Sequence, residues 1–119
     1  MKLINFNISE FDSPDLEGSG EEMKSNFLTK LQTARTLAGY PFSINSGYRT
    51  EAHNKLVGGS RNSSHLKGLA CDISCKNSTE RSLILVSLLA AGFTRIGIGT
   101  NFIHVDLDLS KSQNVIWTY

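Results

Sequence analysis

Two short segments carry the side chains that could do chemistry. Ser63-Ser64-His65-Leu66-Lys67-Gly68-Leu69-Ala70-Cys71-Asp72 puts a histidine at the end of a polar loop and an aspartate inside a short apolar run. Leu69 to Ser74 reads as a buried strand, so Leu69, Cys71 and Ile73 face one way and Ala70, Asp72 and Ser74 the other. An aspartate on an inner strand is costly without a partner, and a cation is expected beside it. A second run, Phe102 to Asp108, alternates likewise: Ile103, Val105 and Leu107 form an apolar face, and His104, Asp106 and Asp108 share the opposite one. If both strands lie in one sheet over a common core, Asp72, His104 and Asp106 converge on its other face; with His65 at the strand entry, two imidazoles and a carboxylate surround one point, with another carboxylate beside it. Two imidazoles and one carboxylate suit a catalytic zinc, which keeps a fourth position for water.

These groups need a scaffold, and the rest of the chain supplies one. Residues 1–20 read as irregular, with Ile4–Ile8 as a short edge strand and Asp12-Ser13-Pro14-Asp15 as a turn. Ser19 followed by Glu22 fits a capping box, opening a helix whose stripe is Met23, Phe27, Leu31, Ala34 and Ala38 and which Gly39 and Pro41 stop. Phe42 to Ser46 alternates as a strand that delivers Gly47-Tyr48-Arg49-Thr50 at its end; Glu51 to Val57 reads as a short helix, and Gly58 to Ser64 as a flexible polar loop. Asn77 with Glu80 caps a helix over Ser78–Ala91, ended by Gly92. Ile96–Gly99 and the His104 strand form a hairpin through Thr100-Asn101, and Asn114–Tyr119 adds a last strand. Helix, strand, loop, strand, helix and hairpin give an α+β class with a small antiparallel sheet flanked by helices.

At 119 residues the chain is one domain, 1–119, with enough length for a core. A net charge of +1 without a basic run argues against nucleic acid as partner. No stretch is long and apolar enough to span a membrane, and the N-terminus is too short and polar for a secretory signal, so synthesis in the cytoplasm is expected. The two cysteines, Cys71 and Cys75, are expected as small buried thiols rather than metal ligands or a disulfide, because their spacing lacks that of zinc or redox motifs.

Taken in order, Ser46-Gly47-Tyr48-Arg49, His53-Asn54, Gly58-Gly59, Ser64-His65, Gly68, Ala70, Asp72, Gly92-Phe93 and His104-Val105-Asp106 resemble the M15 zinc peptidases, and within them the D-alanyl-D-alanine carboxypeptidase-like group. The resemblance covers roughly residues 40–108, and the small size resembles the single-domain versions common in bacteriophages and prophages. It implies a Hedgehog/D-Ala-D-Ala peptidase-like fold, zinc held by His65, Asp72 and His104, and substrates drawn from peptidoglycan stem peptides. It also implies action at the bacterial cell wall as an endolysin or virion component. The partner expected is the peptidoglycan peptide substrate, and the chain is expected to be a monomer. One departure stands out. Several members carry an acid three residues before the last zinc histidine; here that position is Asn101, which cannot act as a base.

Asp106 is the substitute expected as general base, in preference to a role orienting a ligand histidine; Asp108 is the alternative base, or a residue bonded to its loop. Arg49 is expected to stabilise the oxyanion or bind a substrate carboxylate, in preference to a surface ion pair with Glu51. Ser64 and Tyr48 are expected to add hydrogen bonds to substrate, and Trp117 to pack or form a rim. The activity expected is a metal-activated water cleaving a stem peptide, as a D-Ala-D-Ala carboxypeptidase or an L-Ala-D-Glu-type endopeptidase. The alternative is a non-catalytic, zinc-stabilised module that binds the wall without cutting it.

Overall fold

The computed structural model describes residues 5–119. Three α-helices, α1 (Ser25–Ala38), α2 (Glu51–Leu56) and α3 (Ser78–Ala90), accompany five strands: β1 (Ile44–Ser46), β2 (Ala70–Ser74), β3 (Arg95–Ile98), β4 (Phe102–Asp106) and β5 (Val115–Thr118). The strands form one sheet in the order β1-β2-β4-β3-β5. Neighbours are antiparallel except β3 and β5, which run parallel. The class is the α+β arrangement expected, and the last strand differs only in its direction. β5 returns to the sheet through the loop after β4, so it need not reverse as a hairpin strand does.

Each helix forms for a local reason. In α1, Phe27, Leu28, Leu31 and Ala34 recur at helical spacing and are buried. Gly39 closes it in a left-handed conformation, its N–H donating to the carbonyls of Arg35 and Thr36. Before α3 the Asn77 side chain accepts from Glu80 N at 2.9 Å, the cap expected there. Thr50 caps α2 by accepting from His53 N at 3.1 Å.

The N-terminal third departs from expectation. Ile8–Phe11 is a 3₁₀ turn rather than part of an edge strand; Ile4 lies outside the described residues. Ser19–Glu22 is a second 3₁₀ turn, and α1 starts only at Ser25. The Ser19 hydroxyl accepts from Ser13 N at 2.7 Å, so it is not free to cap. Met23 is extended (φ −64°, ψ 136°), which breaks the helix there.

The core lies between the helices and one face of the sheet. Cys71 and Ile73 of β2, Ile96 of β3, and Ile103 and Val105 of β4 are fully buried there with Leu31 of α1 and Ile84 and Leu88 of α3. Phe27 and Phe93 meet at 5.7 Å between ring centroids. Each large apolar side chain buried this way contributes about 1.5–3 kcal/mol. Cys71 and Cys75 are free and buried, as expected, and burial pushes the Cys71 thiol well up.

The other face carries polar and aromatic side chains. The register pairs Ser46 with Asp72, Asp72 with His104, His104 with Gly97, and Gly97 with Trp117. One row across all five strands therefore holds a carboxylate, an imidazole, a bare backbone and an indole. Because side chains alternate along a strand, Arg95 and Asp106 lie on this face too.

Candidate metal centre

His65 reaches this row from outside the sheet. It sits in a 3₁₀ turn, Ser64–Lys67, capped by the Ser63 side chain, which accepts from His65 N at 3.2 Å. Gly68 ends the turn in the left-handed region (φ +69°), where a side chain would also strike the Glu22 carbonyl. The chain then passes into β2 and Asp72. The segment after β1 braces the turn: Arg49 N donates to the His65 carbonyl at 3.2 Å, and the Gly47 carbonyl lies 2.7 Å from His65 Nδ1.

His65, Asp72 and His104 form a possible metal site, each offering one ligand atom, with these atoms within 4.8 Å of one another. Asp72 Oδ1 lies 3.3 Å from His65 Nε2 and 2.9 Å from His104 Nδ1. The outer partners of the rings fix which nitrogen points inward. A carbonyl can only accept, so His65 Nδ1 carries the hydrogen that meets Gly47, and Nε2 is left for the cluster. On His104 the outer nitrogen is Nε2, 2.8 Å from Asp106 Oδ2, and Nδ1 is left for the cluster. Two imidazole nitrogens and a carboxylate oxygen, each oriented by a neighbour, fit a divalent ion of the zinc type. The rings themselves lie 5.2 Å apart, edge to face.

The charges around the cluster are matched. Burial pushes Asp72 up, but bonds from His104 and His65 outweigh it, and the carboxyl is held far below its ordinary value. Burial likewise opposes ionisation of Asp106, and His104 and Arg95 reverse that, so it too is lowered. His104 is driven down by burial and up by Asp106 and Asp72, with a net rise.

Arg49 is brought to the site as expected. Its Nη2 lies 3.3 Å from Asp72 Oδ2, its Nε donates to Ser46 Oγ at 3.0 Å, and its Nη1 meets Asn54 Oδ1 at 3.3 Å. Asn54, missed as a site residue, also donates to the Ser60 carbonyl at 2.8 Å and so ties the Gly58–Ser64 loop to Arg49. Ser64 lines the same cavity; its hydroxyl donates to Asp108 Oδ2 at 2.7 Å. Tyr48 is not brought to the site. It packs half-buried against the apolar core, one position out of phase with Arg49.

Asp106 differs from a poised base. Its Oδ2 faces His104 Nε2, while its Oδ1 accepts from Arg95 Nε at 2.7 Å and from Asp108 N at 3.2 Å. It is 2% exposed and stands against the ring edge that faces away from Asp72. Asp108 is also committed: Ser64, Lys67 and Ser110 all bond it. Asn101 is exposed in the β3–β4 turn, where its carbonyl accepts from Cys75 N at 2.9 Å.

The cluster opens onto a cavity of about 380 Å³. Phe102, Trp117 and Tyr119 form an aromatic wall, and Lys111 adds a cation. Trp117 lies 5.6 Å from the His104 ring, and the Arg95 guanidinium sits over the indole at 5.0 Å. Trp117, expected either to pack or to form a rim, thus lines the cavity. Arg95, Lys111 and Tyr119 were not foreseen there. Alternation in the 95–98 strand could have flagged Arg95; nothing local marks Lys111.

No helix among the described residues is long and apolar enough to cross a membrane. A search of curated proteins finds no match. A family model does: Peptidase M15 matches residues 6–106, a span that starts before the first 3₁₀ turn and takes in His65, Asp72 and His104. The chain belongs to the peptidase M15 family.

Proposed function

We propose that this domain is a zinc-dependent peptidase that cleaves peptidoglycan stem peptides, as a D-Ala-D-Ala carboxypeptidase or an L-Ala-D-Glu-type endopeptidase, in cell-wall degradation. The observation that carries the reading is the convergence of His65 Nε2, Asp72 Oδ1 and His104 Nδ1 on one wall of an open cavity, beside Arg49. A divalent ion there supplies the Lewis acidity that activates water and polarises a carbonyl.

The chain's own residues do the rest. Gly47 and Asp106 hold the two imidazoles in the tautomers that ligation needs. Arg49 has three N–H donors anchored on Ser46, Asn54 and Asp72, with others still available. It meets the negative charge that develops on the substrate's carbonyl oxygen, a fixed donor for a charge that appears only in the transition state. Asp106 acts as a positioning group for His104 in this reading, not as the base. Phe102, Trp117 and Tyr119 offer apolar surface to the rest of the peptide.

The test uses purified wall sacculi with and without a chelator, assayed for new amino termini. Cleavage lost on chelation and restored by zinc is the expected result. A second reading is favoured by one observation: the two carboxylates lining the cavity, Asp72 and Asp106, are both fully engaged, and the family's acid position is Asn101. In that reading the domain is a zinc-stabilised module that binds the wall. Zinc bound at one per chain with no new amino termini would select it.

A further inference from the structure

We propose that Lys111, held against the Ser64 hydroxyl at one end of the cavity, is a specificity-determining cation that binds a carboxylate of the peptide beside the scissile bond. The inference rests on the peptidase reading for the class of substrate.

Charge pairing singles out Lys111. Arg49 is matched by Asp72 at 3.3 Å, and Arg95 by Asp106 at 2.7 Å. Lys67 and Lys111 share one carboxylate, Asp108, at 3.0 and 3.6 Å. Two ammonium groups therefore face one anion, and Lys111 is the more distant. Asp108 is already saturated: Ser64, Ser110 and Lys67 hydrogen-bond it at short range. Among the described residues, the one short bond of the Lys111 ammonium is to Ser64 Oγ, at 2.8 Å. An ammonium group has three donors, and here the side chain is a quarter exposed and lines the cavity.

Position gives the cation a purpose. Lys111 follows the C-terminal end of β4, whereas Phe102 opens that strand and meets Tyr119 at 5.1 Å. The cavity is thus cationic beyond one end of β4 and aromatic at the other, with His104 and the metal cluster between. A peptide lying along β4 has its anionic group at Lys111 and its apolar part on the aromatic wall. A carboxylate that displaces water from a partly enclosed ammonium gains a charge-assisted hydrogen bond. Ser64, pinned by Asp108 and Lys111 together, presents that ammonium in a fixed place.

A stem peptide offers such a carboxylate at two places, its C-terminus and the α-carboxylate of a γ-linked D-Glu. The experiment separates them. Binding of L-Ala-γ-D-Glu-L-Lys-D-Ala-D-Ala to the full chain is measured by calorimetry with chelator present, so that no cleavage intervenes. The same peptide is then used as its C-terminal amide, and with D-isoglutamine replacing D-Glu. In the wild type, one of the two amidations weakens binding about tenfold or more. Lys111→Met should reduce that penalty to less than about twofold, and Lys111→Arg should keep most of it. Circular dichroism melts in the same chelator buffer establish that the wild type and each variant are folded in the assay. An equal penalty in Lys111→Met and wild type, or no penalty in the wild type, overturns the proposal. Sacculus cleavage by the zinc-loaded wild type is scored separately. Cleavage without a Lys111-dependent penalty leaves the peptidase and removes the subsite; the reverse leaves the subsite on a binding module.

Discussion

Asp106 holds the back of His104: its Oδ2 lies 2.8 Å from Nε2, while Nδ1, on the other side of the ring, faces Asp72 at 2.9 Å. The pair lies two residues apart on one strand face, so β4 carries both the proposed ligand and the group that orients it. Arg95 on β3 fixes Asp106 in turn. Asp106→Asn cannot offer two carboxylate oxygens to His104 and Arg95 at once. Zinc affinity is expected to fall about tenfold to a hundredfold, with turnover falling in step. Competitive chelator titration measures it. Unchanged zinc affinity with abolished turnover would instead make Asp106 the base.

Asp72 is central to the cluster, touching both imidazoles and Arg49. A metal that binds only the folded state stabilises it by mass action, about 2.7 kcal/mol at a hundredfold excess over Kd. Chelation should therefore lower the wild-type Tm by roughly 10 °C. Asp72→Ala should melt at one temperature with or without chelator, because the oxygen on which the two nitrogens converge is gone. Scanning calorimetry in both buffers decides it. A chelator response that survives in Asp72→Ala would place the ion elsewhere.

The strand pair behind this cluster is legible because its polar residues have no cheap alternative. Asp72 and His104 interrupt apolar runs at period two, and a charge on an inner strand demands a partner; the register then brings the two opposite each other. The Asn77 cap is legible for a similar reason, since Glu80 sits at the spacing that the helix start needs. Ser19 shows the limit. Its spacing to Glu22 is that of a cap, but its hydroxyl belongs to Ser13, a partner chosen by the fold of the N-terminal loop. Tyr48 misleads by adjacency: one step along an extended segment turns a side chain to the other face. Tyr119 reaches the cavity because β5 joins β3 in parallel, and Lys111 because the loop before β5 brings its ammonium to the Ser64 hydroxyl, placements that no local periodicity encodes.

Asp108 should make stability depend on acid. Burial pushes its carboxyl up, but Ser110, Ser64 and Lys67 outweigh burial and hold it well below the ordinary carboxylate range. A lowered folded value adds stability that is fully present above the unfolded value, near pH 4, and is lost as pH falls toward the folded one. Asp108→Asn removes this contribution. At pH 7 it is expected to cost roughly 2 kcal/mol, the scale of hydrogen bonds to a charged group. Below pH 4 the gap to wild type should close. Urea melts of both proteins at pH 7, 5, 4 and 3 test the sign. A gap that widens in acid would mean Asp108 is protonated in the fold.

Gly97 makes room for Trp117. A Cβ on Gly97 would stand 2.7 Å from the indole Cε2 and Nε1, closer than packed atoms allow. The indole lies over the bare backbone, with Arg95 at 5.0 Å and the His104 ring at 5.6 Å. Gly97→Ala must push it off the sheet, at an overpacking cost of about 1–3 kcal/mol. The chain has one tryptophan, so its emission reports this site alone. The variant should emit further to the red as the indole gains solvent. Its zinc affinity should stay near wild type, because the proposed ligands sit on β2, β4 and the turn before β2. Fluorescence and chelator titration on the same sample separate the two effects. An unshifted emission would mean that the indole does not lie over Gly97.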